Sequence, residues 1–144
     1  FGAALSGRKE LMSAYSSFGL PLGEAFQLRD DLLGVFGDPE VTGKPAGDDL
    51  REGKRTVLIA LTMEAANKEE RDLLSGSLGD EGLDKTQILK LQEIISSSGA
   101  VAQVEELITE LRDRAISALR DSQVEASILS VLEEMATIAT QRSL

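Results

Sequence analysis

Two adjacent aspartates, Asp30 and Asp31, are the residues of this sequence best suited to chemistry. On a helical wheel of about 100° per residue they fall in a polar sector roughly 120° wide. That sector, here called the acidic stripe, contains Gly23, Glu24, Gln27, Asp30, Asp31, Gly34 and Asp38. It has no Lys or Arg, and apart from Arg29 almost all the rest of the circumference is apolar. We therefore expect a mostly buried helix whose acidic stripe faces a cleft, with Gly23 and Gly34 leaving room for something to approach.

The pair of carboxylates indicates a metal site, because neighbouring ionised acids repel one another unless a cation lies between them. Mg²⁺ is the cation expected, since it prefers oxygen ligands and binds through one or two carboxylates together with waters and substrate phosphates. An aspartate placed at position 34 would point into the same stripe. Arg29 lies outside the stripe, and we expect it to snorkel or to pair with an acid of another helix. The alternative reading is a solvated surface pair of acids.

The segment from Gly34 to Thr56, here called the glycine-rich segment, holds five glycines and two of the three prolines of the chain. We predict a long structured loop, and loops of this length are uncommon in compact proteins unless they are functional or disordered. Lys44 and Lys54 each follow a glycine, and two arginines, Arg51 and Arg55, are close by. Lysines that contact phosphate oxygens beside acids that hold Mg²⁺ make a diphosphate site. Taken singly, each lysine would more often be a solvated surface residue.

Composition limits the chemistry that the 144 residues can perform. The chain has no Cys and no His, which excludes thiol nucleophiles, imidazole bases and the usual zinc ligands. A net charge of −10 argues against nucleic acid as a partner. No apolar run approaches the roughly 20 residues that span a bilayer, and no signal peptide is recognisable, so we expect a cytoplasmic protein without a membrane span.

Apolar positions recur at helical spacing and no segment alternates with a period of two, which predicts an all-α protein. Pro21 is expected near the first turn of the second helix, and Gly99 is expected to separate the fourth helix from the fifth. The predicted helices lie near residues 1–17, 20–37, 50–75, 84–98, 100–120 and 123–141.

The run from Gly23 to Thr56 resembles the second aspartate-rich region of the trans-isoprenyl diphosphate synthases, the polyprenyl synthetase family that includes farnesyl and geranylgeranyl diphosphate synthases. The family pattern begins with FQ, followed after two residues by DDxxD and then by a Gly-Asp pair. Next comes a Gly-Lys pair with an Asp five residues after its lysine, and then a second Gly-Lys pair that is followed closely by Thr. It falls on Phe26, Gln27, Asp30, Asp31, Gly37, Asp38, Gly43, Lys44, Asp49, Gly53, Lys54 and Thr56. The third acid of DDxxD is Gly34 here.

The resemblance implies the C-terminal part of an isoprenoid-synthase helical bundle. The family's first aspartate-rich motif and its arginines belong to helices N-terminal to this region, and neither is present. The sequence opens on apolar residues without an initiator Met. We therefore expect residues 1–144 to be the C-terminal fragment of a single polyprenyl synthetase domain. The resemblance also implies that the full-length protein is a homodimer.

The resemblance also implies a function, which is the Mg²⁺-dependent ionisation of an allylic diphosphate and its condensation with isopentenyl diphosphate. Asp30 and Asp31 would be the metal ligands and, with Lys44, the catalytic residues. Lys44 and Lys54 would hold diphosphate, while Gln27 and Asp49 would bind and orient the substrate through the polar network. The fragment alone is expected to be inactive. Two alternatives stay open: a catalytically silent regulatory subunit of a heteromeric prenyl synthase, and a terpene cyclase.

Overall fold

The computed structural model describes residues 2–5, 7–43, 45–122 and 124–141, and these form nine helices and no strand. The prediction of an all-α fold is confirmed. The helices are α1 (Gly2–Leu5), α2 (Glu10–Phe36), α3 (Pro39–Thr42), α4 (Asp48–Arg51), α5 (Val57–Ala65), α6 (Lys68–Ser77), α7 (Lys85–Ser97), α8 (Ala100–Arg120) and α9 (Ala126–Thr140).

The helix that carries the acidic stripe is one continuous element of 27 residues with Pro21 inside it. The prediction of two helices, 1–17 and 20–37, is therefore wrong. A proline in a helix interior removes one backbone hydrogen bond and usually kinks or ends the helix. Here Phe18 and Ala25 are buried on either side of Pro21, and Pro21 is buried itself. Packing of this apolar face offsets the lost hydrogen bond.

The glycine-rich segment is not one long loop, because Gly34 lies inside α2 and two short helices, α3 and α4, follow. Asp38 caps α3 by accepting a hydrogen bond from the Glu40 amide at 2.9 Å. The predicted helix 50–75 is likewise divided. The Thr56 hydroxyl accepts from the Ile59 amide at the start of α5, and Asn67 and Glu70 form a capping box at the start of α6.

The remaining helices agree closely with the sequence pattern. Asp84 and Gln87 form a capping box that starts α7, and Gly99, at φ 81°, separates α7 from α8. The positive φ at this position favours glycine. The predicted spans 84–98 and 100–120 are confirmed, and the last one, 123–141, is α9 with slightly shorter bounds. None of the helices among the described residues is long and apolar enough to cross a membrane.

The described residues divide into two compact units, with boundaries inside α2 and inside α8. The first unit contains the described residues up to Gln27 and those from Leu107 to Gln141, and its core is formed by Phe18, Ala115, Leu119 and Ala136. The second unit, residues 28–106, contains the fully buried side chains Leu32, Val35, Leu50, Leu58, Leu74, Leu91, Ile95 and Val104. Asp30, Asp31, Asp49 and Lys54 all belong to this second unit.

Candidate functional site

The acidic stripe on α2 is only partly as predicted. Gly23, Glu24, Gln27 and Asp30 are exposed, whereas Asp31 is only 7% exposed. Asp38 lies beyond the helix, as the cap of α3. The burial of the apolar circumference is confirmed for Ala25, Leu28, Leu32 and Val35, but Phe26 is 39% exposed.

Arg29 forms a two-pronged ion pair with Glu105 of α8. Its Nη1 donates to Oε1 at 2.6 Å and its Nη2 donates to Oε2 at 2.5 Å. Arg29 is 7% exposed, and this bidentate geometry matches the fork of the guanidinium to the carboxylate. The prediction that Arg29 pairs with an acid of another helix is confirmed. The pair joins α2 to α8 within the second unit, at the residue that precedes Asp30 and Asp31.

Asp49 and Lys54 contact each other directly. The Lys54 ammonium donates to Asp49 Oδ1 at 2.5 Å and lies 3.5 Å from a Glu52 carboxylate oxygen. The Asp49 side chain is 5% exposed and that of Lys54 is 38% exposed. The hydrogen bond that Lys54 donates to Asp49, assisted by the charges of Asp49 and Glu52, raises the pKa of Lys54. Lys54 is therefore a fixed, charged donor at the second Gly-Lys step.

Gly34 lies directly against the carboxylate of Asp49. A Cβ atom at position 34 would fall well inside van der Waals contact with Cγ, Oδ1 and Oδ2 of Asp49, whereas a Cβ at Gly23 would meet nothing within 4 Å. The expectation of open space is confirmed at Gly23 and wrong at Gly34. The side chain of Asp49, in α4, occupies the space that a third acid at position 34 of α2 would need. A side chain at position 34 could enter the stripe only by displacing Asp49.

The backbone around Lys54 is held by close packing of two glycines. Gly53 has φ 69°, and a Cβ on it would lie 2.9 Å from the Cα of Gly79. The Gly79 amide donates to Leu50 O at 2.9 Å, and the Lys54 amide donates to Asp49 O at 3.0 Å. The second Gly-Lys step is therefore anchored by the turn after α6, a contact that sequence spacing could not indicate.

Two further residues support the site without having been predicted. The Arg51 guanidinium donates to the carbonyls of Ala46 at 3.2 Å and Leu83 at 3.3 Å, so this cation braces the glycine-rich segment. The Gln92 side chain of α7 donates to Val35 O near the end of α2 at 2.6 Å. In the sequence, Arg51 is only part of the positive charge of this segment, and no pattern distinguishes Gln92.

The metal site expected at Asp30 and Asp31 rests on two carboxylates. Among the residues that the structure describes, no group of three or more acids is placed to hold a metal ion. Two consecutive acids, one exposed and one nearly buried, fit a Mg²⁺ ion that takes its other ligands from water and substrate phosphate. Lys44, expected to hold diphosphate and to act in catalysis, lies outside the described residues.

These features define an all-α protein with paired carboxylates on one helix and an anchored lysine after it. The model of the polyprenyl synthetase family matches residues 1–95, and the chain belongs to that family. The resemblance seen in the motif is therefore confirmed.

Relatives and solved structures agree with this assignment. The chain is 34% identical over 115 residues to a geranylgeranyl diphosphate synthase of Saccharolobus solfataricus, covering 80% of the chain and 34% of the relative. It is 37% identical over 117 residues to a chloroplastic monoterpene synthase of Artemisia spiciformis, covering 79% of the chain and 29% of the relative. Among solved structures, a Corynebacterium glutamicum geranylgeranyl pyrophosphate synthase complexed with isoprenyl diphosphate and magnesium matches with a TM-score of 0.89 and 40% identity. That match covers 93% of the chain and 38% of the solved one, so the chain spans about a third of such relatives.

Proposed function

We propose that this chain is the C-terminal part of a chain-elongating prenyltransferase. The full-length protein would condense isopentenyl diphosphate with an allylic diphosphate, and the 144 residues would carry the second acidic helix of its site. The observation that carries the proposal is that one compact unit contains both Asp30 and Asp31, on α2, and the Asp49–Lys54 ion pair that follows them in the chain. The C. glutamicum relative that matches this region has magnesium and an isoprenyl diphosphate in its structure.

Each side chain has a role that follows from its charge and surroundings. Asp30 and Asp31 would hold Mg²⁺, which when bound neutralises the charge that develops on the departing diphosphate. Lys54 and Lys44 would donate hydrogen bonds to diphosphate oxygens, a charge-assisted contact. Gln27 would bind substrate and orient the polar network of the site. This is electrostatic catalysis without a covalent intermediate, so a chain that lacks His and Cys can perform it.

The proposal is tested by removing the carboxylates of α2 in the full-length protein. Asp30→Ala and Asp31→Ala should each lower the turnover of isopentenyl diphosphate by at least about a hundredfold, as loss of a group that stabilises transition-state charge does. Asp72→Ala, which removes an exposed carboxylate from α6, is the matched control and should leave turnover unchanged. Near-normal turnover of the Asp30→Ala, Asp31→Ala double variant would contradict the assignment.

A second candidate function is cyclisation or ionisation of an allylic diphosphate without elongation, as in a terpene synthase. It is favoured by the match to the monoterpene synthase of A. spiciformis. The two functions differ in their need for a second substrate. Incubation of the full-length protein with an allylic diphosphate and Mg²⁺, with and without isopentenyl diphosphate, separates them. Products five carbons longer support elongation, whereas hydrocarbon or alcohol products of unchanged length support the terpene synthase. Absence of both activities would favour the third reading, a silent regulatory subunit.

A further inference from the structure

The contact between Gly34 and Asp49 joins the acidic stripe to the glycine-rich segment. The carboxylate of Asp49 is 5% exposed, and it lies between the backbone of α2 at Gly34 and the ammonium of Lys54. The missing Cβ at position 34 is what admits the carboxylate to this place. Gly34 is therefore linked in space to Lys54, which lies 20 positions further along the chain, because the Asp49 side chain contacts both.

We propose that Gly34 and Asp49 are positioning residues for Lys54: Gly34 provides the space in which Asp49 lies, and Asp49 holds the Lys54 ammonium beside the acidic stripe. The proposal rests on the function proposed above, in which Lys54 contacts diphosphate. It also assigns Asp49 to the lysine and not to the substrate directly.

A side chain at position 34 would act on the Asp49 carboxylate and leave the backbone in place. The backbone near Lys54 is fixed by the Lys54 amide, which donates to Asp49 O, and by the packing of Gly53 on Gly79. We expect the carboxylate to turn away from α2 and so to leave the ammonium of Lys54. Glu52 is the remaining acid near that ammonium, and its side chain is 49% exposed. Lys54 would then be held loosely, toward solvent.

Gly34→Ala isolates this positioning effect because it changes no charge. The same acids and the same lysine remain, so only the location and order of the ammonium differ. Immobilising a long side chain on binding costs about 0.5–1.5 kcal/mol, which corresponds to roughly a two- to tenfold change in affinity. We expect Gly34→Ala to weaken the binding of inorganic pyrophosphate in the presence of Mg²⁺ by that factor and to lower the melting temperature.

The experiment consists of two double-mutant cycles in the full-length protein, with inorganic pyrophosphate and Mg²⁺ as the probe. The first cycle pairs Gly34→Ala with Asp49→Ala and measures thermal melting without ligand. Once the carboxylate is absent, the alanine has nothing to displace, so the melting penalty should vanish. Gly19→Ala is the matched control, because Gly19 lies in the interior of the same helix with nothing within 4 Å of its Cβ position. It should raise the melting temperature, as alanine favours helix over glycine.

The second cycle pairs Gly34→Ala with Lys54→Met and measures pyrophosphate affinity by calorimetric titration. If position 34 acts through Lys54, then Gly34→Ala should have less than a twofold effect once the ammonium is removed. A purely structural role of Gly34 would give the same loss of affinity in both backgrounds. The cycle therefore separates positioning of Lys54 from a general loss of packing.

The outcomes are distinct. Additive effects in both cycles overturn the proposal, and so does a Gly34→Ala protein that melts like the Gly19→Ala control. If the Gly34→Ala variant does not fold, the Gly34→Ala, Asp49→Ala double variant decides the question. A double variant that folds supports the displacement of Asp49 by the alanine, whereas a double variant that does not fold overturns the proposal. A parent protein that binds no pyrophosphate contradicts the proposed function, whereas the melting cycle still decides whether Gly34 accommodates Asp49.

Discussion

Asp30 and Asp31 are neighbours in sequence but have different surroundings. Asp30 is exposed, whereas Asp31 is 7% exposed, so consecutive residues of one helix present one solvated and one largely desolvated carboxylate. Truncation of a buried side chain removes packing contacts, whereas truncation at an exposed position usually changes stability by no more than about 0.5 kcal/mol. Asp30→Ala should therefore act mainly on turnover, while Asp31→Ala should also change stability.

The ion pair of Asp49 with Lys54 predicts a dependence of stability on pH. Its hydrogen bond and charge raise the pKa of Lys54 above its ordinary value of about 10.4. The stabilisation from Lys54 is thus fully present below about pH 10.4 and is lost as the pH rises through the raised folded-state pKa.

Asp49→Asn should lower the free energy of unfolding of the full-length protein near pH 8 by about 1 kcal/mol, the upper end for pairs with an exposed partner. Urea unfolding from pH 8 to pH 11.5 checks this, with Glu52→Gln as the control for the more distant acid at 3.5 Å. The difference between the parent and Asp49→Asn should shrink at the alkaline end. A difference that does not change with pH would contradict the assignment to Lys54.

At the scale of elements, the sequence predicted the bounds of α7 and α8 but missed the division of the predicted helix 50–75, although α5 and α6 also begin with capping residues. The limits of α7 and α8 follow from Asp84 and Gly99, because a cap acts on the backbone beside it. The continuity of α2 through Pro21 could not be predicted, since it depends on the apolar contacts of Phe18 and Ala25. The contact between Gly34 and Asp49 was missed for a related reason: it depends on how α3 and α4 return the chain to α2.

The cap of α7 gives a prediction at this scale, because α7 carries Gln92, which donates to the end of α2. Asp84→Ala removes the side chain that accepts from the Gln87 amide at 2.8 Å, so it should cost about 1 kcal/mol of unfolding free energy. Asp84→Asn retains a good capping group and should lose much less. Urea unfolding of both variants checks the difference, and equal losses would contradict a capping role.

At the scale of the whole molecule, the two compact units divide the helix that carries the site. Gln27 is the last residue of α2 in the first unit, and Asp30 and Asp31 follow in the second. The chain spans about a third of the length of its curated relatives. Among the described residues, no group of three or more acids is placed to hold a metal ion. We expect the rest of the full-length protein to supply the further ligands that the proposed catalyst uses.

The corresponding prediction is that the isolated 144-residue chain does not elongate prenyl diphosphates. Two carboxylates leave most of the ligand positions of Mg²⁺ to water and phosphate, so they cannot by themselves hold a metal cluster around a departing diphosphate. The purified chain should be helical by circular dichroism but should turn over isopentenyl and allylic diphosphates no faster than buffer with Mg²⁺. The full-length protein, assayed in parallel, should be active, and its Asp30→Ala variant should be at least about a hundredfold slower. Turnover by the isolated chain at a rate typical of enzymes, about 1 s⁻¹ or more, would show that residues 1–144 contain a complete site.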